Sequence, residues 1–242
     1  MRTSNPAMRE NRFKVDNPTG EAMTLGGSAV KTFILLVLVF ASAIFTWRGV
    51  YEGSSNVIPL TVGALVGSLI IAFIIIFYQK SSPYLAPVYA VLQGLVLGGV
   101  SAACEQEFGG IVLQAILLTF GILLAMLMIY ATGAIQPSHT FKLVLSAATG
   151  GILFVYLMDV ILRFFGMEVA FLHSNGWIGI GISVIIVIVA ALNFILDFDL
   201  IESRVRHGSP KYMEWYAAFG LIVTIIWLYL EVLRLLAKTR RR

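Results

Sequence analysis

The chain has 242 residues, of which 59% are hydrophobic and only 12% charged, with a formal net charge of +4. Soluble domains carry about 45–50% apolar and about 25% charged residues, so the composition excludes an ordinary water-soluble fold and fits one integral membrane domain. The positive charge implies no nucleic-acid partner, because most Lys and Arg sit in the two tails and one loop, where they orient a chain in the bilayer. The single cysteine, Cys104, excludes an internal disulfide.

Residues 1–28 are polar and hold Pro6, Pro18, Gly20, Gly26 and Gly27, which predicts a disordered cytoplasmic tail. No cleavable signal is expected, because the polar segment before Val30 is too long for an n-region. Residues 29–242 are expected to form one all-α membrane domain. Seven apolar runs there match the roughly 20 residues that span hydrocarbon. They cover residues 30–50, 57–78, 84–104, 110–132, 141–165, 177–201, and a seventh within 212–237. Their hydrophobicity is continuous and lacks a period of two, which predicts helices and not barrel strands. The third run is rich in small residues (Gly94, Gly98, Gly99, Ser101, Ala102, Ala103) and suits a helix packed closely in the bundle.

Orientation follows from the basic residues. With the N-terminus inside, ten Lys and Arg fall on the inner side and seven on the outer, which favours a cytoplasmic N-terminus. The basic residues 238–242 then lie outside and weigh against it.

Ionisable groups inside apolar helices cost about 2.5–3.5 kcal/mol or more each, and so mark candidate sites. Asp197 closes the sixth run, and Glu231 lies inside the seventh. Two carboxylates close together in low dielectric cannot both ionise cheaply; they hold one proton between them and titrate as a unit. They are also the hard oxygen ligands that calcium prefers, so Asp197 and Glu231 are candidates for transient calcium contact. Asn193 lies one turn before Asp197 on the same face and offers a further polar contact. Asp199 points about 200° away from Asp197 and belongs with Glu202 and Arg206 toward the loop. Asp159 has Arg163 at i+4, the favourable order for a helical ion pair. Glu231 likewise has Arg234 at i+3.

Three stretches together resemble the Bax inhibitor-1 family. They are Gln93-Gly94-Leu95-Val96-Leu97-Gly98, Ile195-Leu196-Asp197-Phe198-Asp199-Leu200-Ile201 and Leu228-Tyr229-Leu230-Glu231-Val232-Leu233. The resemblance spans about residues 30–237, and the long polar N-terminus is similar to a bacterial branch. It implies a seven-helix bundle with the last helix central. It also implies a pH-sensitive calcium leak in which the acids of helices six and seven share a proton and hold the pore closed. Asp197 and Glu231 match those two acids. Gln93 stands where the family carries an acid, and helix two lacks the interior arginine that some members use as a latch. The resemblance further implies a monomer in a bacterial inner membrane, with calcium as permeant ion and no cofactor. A non-conducting adaptor of a membrane protease, acting through the polar N-terminus, is the alternative.

Catalysis is not expected. His139, His173 and His207 fall in three separate loops, unlike a buried zinc set, and Gly179-Ile180-Gly181 is followed by Ile182 and not by an aspartate. Depth sets a test for the acidic pair. At 1.5 Å per residue, a straight helix from Met213 carries Glu231 roughly 27 Å inward, against roughly 13 Å for Asp197. The pair therefore requires residues 212–219 to lie along the interface and the chain to bend near Gly220.

Overall fold

The computed structural model describes residues 22–135, 137–167, 169, 174 and 176–241. Among the described residues, seven helices are long and apolar enough to cross a membrane: α1 (Leu25–Tyr51), α2 (Val57–Phe77), α3 (Ser82–Glu107), α4 (Ile111–Ala131), α5 (His139–Phe164), α6 (Trp177–Arg206) and α7 (Met213–Arg240). The ends follow local chemistry. The Thr24 hydroxyl caps α1 by accepting from the Gly27 amide at 2.9 Å, and Ser138 caps α5 at 3.2 Å through Phe141. Pro83 sits in the first turn of α3, and Gly110, at φ 79°, turns the chain into α4.

Alternate connections place Thr24, Lys142, Asp199 and Glu214 at one end of the bundle, here called the N-terminal end. Arg163, Glu107 and Arg241 mark the other, the C-terminal end. α7 is the most buried span, with 61% of its apolar window inside, against 11% for α5. It packs against α1, α3, α4 and α6, so the last helix is central.

Glycines set how closely α1 and α3 approach. A Cβ on Gly94 would strike the Val39 backbone, and one on Gly98 would strike the Ala43 carbonyl. Thr46 uses that proximity to donate across the interface to the Leu95 carbonyl at 2.9 Å. In lipid no hydrophobic force presses helices together, so close packing and such bonds hold the layer.

The basic C-terminal residues are tied to the turn between α3 and α4. Arg240 donates to the Gly109 carbonyl at 2.8 Å, and Arg241 pairs with Glu107 at 2.9 Å. Glu105 holds the same turn by accepting from the Val112 amide at 3.0 Å.

Two expectations are corrected. Residues 22–28 of the expected tail belong to the membrane domain: α1 begins at Leu25, Met23 and Ser28 are buried, and the Met23 amide donates to the Ser209 carbonyl at 2.8 Å. Residues 1–21 lie outside the described part. No break occurs near Gly220, because α7 is one continuous helix from Met213, and the Gly220 carbonyl accepts the Thr224 hydroxyl within it. Its first turns enter the bundle, burying Met213, Ala217, Ala218 and Phe219.

Candidate functional site

One set of polar groups inside the bundle lines the seam where α6 faces α7, with α5 alongside. Thr224 donates to the Asp197 carboxylate at 2.7 Å, and Lys238 donates to the Ser183 hydroxyl at 2.9 Å. Both contacts fit one antiparallel register, since Asp197 and Ser183 are as far apart on α6 as Thr224 and Lys238 are on α7. In that register Glu231 faces Ala190. It stands seven residues beyond Thr224, about 10 Å along the axis at 1.5 Å per residue.

Asp197 and Glu231 therefore do not meet, and no hydrogen bond joins them. The contact that a shared proton requires is not made, and the two acids stand at separate levels of the seam. The physical reason is that α7 enters the bundle from its first turn as one continuous helix. Each acid has found other partners. Asp197 is half-buried and takes the Thr224 hydroxyl. Glu231 is 1% exposed, accepts the Tyr156 hydroxyl of α5 at 2.6 Å, and pairs with Arg234 at 3.1 Å. Arg234 also donates to the Tyr156 oxygen and stacks over its ring at 4.9 Å. Glu231, Arg234 and Tyr156 thus form a closed triangle. Burying the carboxylate is tolerated because its charge is matched and its oxygens are bonded.

Asn193 lies between the two stations. Its amide donates to Thr149 of α5 at 2.9 Å and to the Val189 carbonyl at 2.8 Å. From Asp197 through Asn193 to Glu231, the α5–α6–α7 seam presents a ladder of polar groups that includes two carboxylates.

The remaining candidates are dispersed. Asp199 leaves the seam and pairs with Lys142 of α5 at 2.5 Å. It borders a polar cleft of about 570 Å³ with Glu202, Arg206 and Tyr130 at the N-terminal end. Asp159 and Arg163 meet at 3.1 Å, and Asp159 also accepts the Val169 amide at 3.0 Å, so this pair fastens the chain as it leaves α5. Gln93 donates to the Tyr89 hydroxyl at 3.2 Å on α3.

One acid escaped sequence reasoning. Glu214, in the first turn of α7, is completely buried. It accepts the Thr24 amide and hydroxyl, both at 2.9 Å, forms an ion pair with Lys31, and lies 3.5 Å from Lys211. A Cβ on Gly27 would fall on its carboxylate. Its charge is matched by residues nearly the whole chain length away, which is why α7 can bury its first turn. The only local sign was Lys211 at i−3.

A model of the family described as Bax inhibitor 1 like matches residues 5–241. No curated protein and no solved structure matched the chain.

Proposed function

The chain belongs to the Bax inhibitor 1 like family and is a multi-pass membrane protein, and from that premise we propose that it is a proton-sensitive cation leak, with calcium as the permeant ion. The reading is of a non-catalytic monomer in a bacterial inner membrane with its N-terminus in the cytoplasm. The observation that supports it is the ladder along the α5–α6–α7 seam. Two carboxylates, one amide and three hydroxyls (Thr149, Tyr156, Thr224) follow one another where lipid-like side chains would pack more cheaply.

In this mechanism the ion meets two acids in turn. Asp197, whose carboxylate has a hydroxyl and, among the described residues, no cationic partner, attracts a cation when ionised and loses that attraction when protonated. Glu231 is the latch: while Arg234 and Tyr156 hold it, its oxygens are occupied and the path is closed. Opening needs the triangle to exchange Arg234 for the passing cation. Conduction then rises with pH, because the ionised acids are the conducting form. Arg234, on the same helix as the acid it holds, takes the place of the interior arginine absent from α2.

The test is calcium flux into proteoliposomes from about pH 6 to about pH 8, comparing the wild type with Asp197→Asn and Glu231→Gln. The expected result is flux that grows with pH and a flattened response in Asp197→Asn. No wild-type flux, or an unchanged pH response in both variants, overturns the proposal.

A second reading has its own observation. Residues 22–24 are fastened to the start of the central helix through Ser209, Pro210 and Glu214, so a partner gripping residues 1–21 would pull on α7. That arrangement suits a regulator or adaptor of a membrane protease. Deleting residues 1–21 separates the two: an adaptor fails, and a leak keeps its flux.

A further inference from the structure

α1 and α4 flank the central helix but leave a groove between them. Their rings touch at Phe40 and Phe120, stacked with centroids 6.4 Å apart. On the N-terminal side of that bridge lies a chamber of about 470 Å³. Leu25, Phe33 and Leu36 of α1 form one wall, and Leu123, Leu124 and Leu127 of α4 form the other. The floor is Leu221 and Ile225 of α7. A second apolar chamber of about 280 Å³ begins beyond Leu36 and Ile225, which line both.

We infer that the N-terminal chamber holds one acyl chain of a phospholipid from the leaflet at that end. Three observations on the molecule carry this. First, the groove is continuous with the lipid-facing surface, since Phe33 is 67% exposed and Leu124 57% exposed on its lips. An apolar cavity of this kind does not fill with water, and in a bilayer the available apolar filler is hydrocarbon. Second, the length fits. Leu25 to Leu36 rises about 17 Å at 1.5 Å per residue, close to half of a hydrocarbon core of about 30 Å. A chain entering from that leaflet ends against Leu36, Ile225 and the Phe40–Phe120 bridge. Third, the mouth carries headgroup chemistry. Glu202 and Tyr130 line it, and Arg206, paired with Glu202 at 3.4 Å, stays 62% exposed with further donors for a phosphate. The chain is then a wall of the bundle, standing where α1 and α4 fail to close over α7.

The experiment uses full-length protein in vesicles of palmitoyl-oleoyl phosphatidylethanolamine doped with the same lipid carrying a diazirine midway along its oleoyl chain. After photolysis, cross-links are mapped by peptide mass spectrometry. Leu221 and Ile225 are buried, so bulk lipid does not reach them. The inference predicts labelling there at least as strong as at lipid-exposed Ile70 on α2, and its loss in Ala29→Trp, which fills the chamber. Leu124→Trp, on the exposed lip, gives the same reading if Ala29→Trp fails to fold. Labelling of Ile70 without Leu221 and Ile225 overturns the inference. So does a disulfide-linked dimer formed on oxidation of Leu124→Cys in a Cys104→Ser background in the same vesicles, which would make a second copy the occupant.

Discussion

Replacing Glu214 by Ala removes the acceptor that holds Thr24, Lys31 and the start of α7 together. The carboxylate is fully buried and the Lys31 side chain is 15% exposed, so the variant strands a cation in a mostly closed site. Breaking a buried pair from one side costs about 3–5 kcal/mol, and the residual exposure of Lys31 places this case near the lower end, about 3 kcal/mol. The loss falls first on local opening of residues 22–28. At 1.4 kcal/mol per decade, about 3 kcal/mol raises amide exchange there about 150-fold. Hydrogen exchange by mass spectrometry should show it at Met23 and Ser28, whose amides bond to Ser209 and Thr24, while amides in the middle of α3 stay unchanged. Lys31→Met combined with Glu214→Leu should recover most of the protection, because an apolar pair of similar volume needs no charge matching. Exchange in Glu214→Ala within about threefold of wild type would refute the reasoning, since that corresponds to well under 1 kcal/mol.

Gly98→Ala pushes a methyl onto the Ala43 carbonyl and should destabilise by about 1–3 kcal/mol, read as a fall in melting temperature in detergent. Gly121→Ala, with open space around it, is the neutral control. Tyr156→Phe takes the hydroxyl that bridges Glu231 and Arg234; it should cost about 1–3 kcal/mol and raise calcium flux at fixed pH by loosening the latch. Deleting residues 1–21 should leave the melting temperature unchanged, whereas deleting residues 1–28 should lower it, because only the longer cut removes Met23, Thr24 and Ser28 from their contacts.

The fold was legible because membrane helices announce themselves by composition and length. The seven predicted runs correspond to the seven helices, with ends displaced by several residues where polar residues continue a helix into the interface, as at residues 202–206 of α6. The packing role of Gly94 and Gly98 was also legible, since small residues serve close approach. The site was legible only as a set of suspects. Residue type and apolar context pick out Asp197 and Glu231, and i+3 or i+4 spacing finds Arg234 and Arg163. Register between helices is not written in either helix alone. The shift that separates the two acids depends on where α7 enters the bundle. That in turn depends on Glu214 meeting Thr24 and Lys31, 190 and 183 residues earlier in the chain. Tyr156 was missed for the same reason: a tyrosine in an apolar run resembles any other until the acid it serves is placed opposite.

The central claim is that Asp197 and Glu231 act as two stations and not as one pair sharing a proton. A double-mutant cycle on proteoliposome calcium flux, with Asp197→Asn, Glu231→Gln and both together, tests it most directly. Sites about 10 Å apart with no common partner add to within about 0.5 kcal/mol. The account predicts that the effects of the two substitutions on flux multiply in the double variant. A double variant no different from either single one would mean that the two acids work as one unit, and would contradict it.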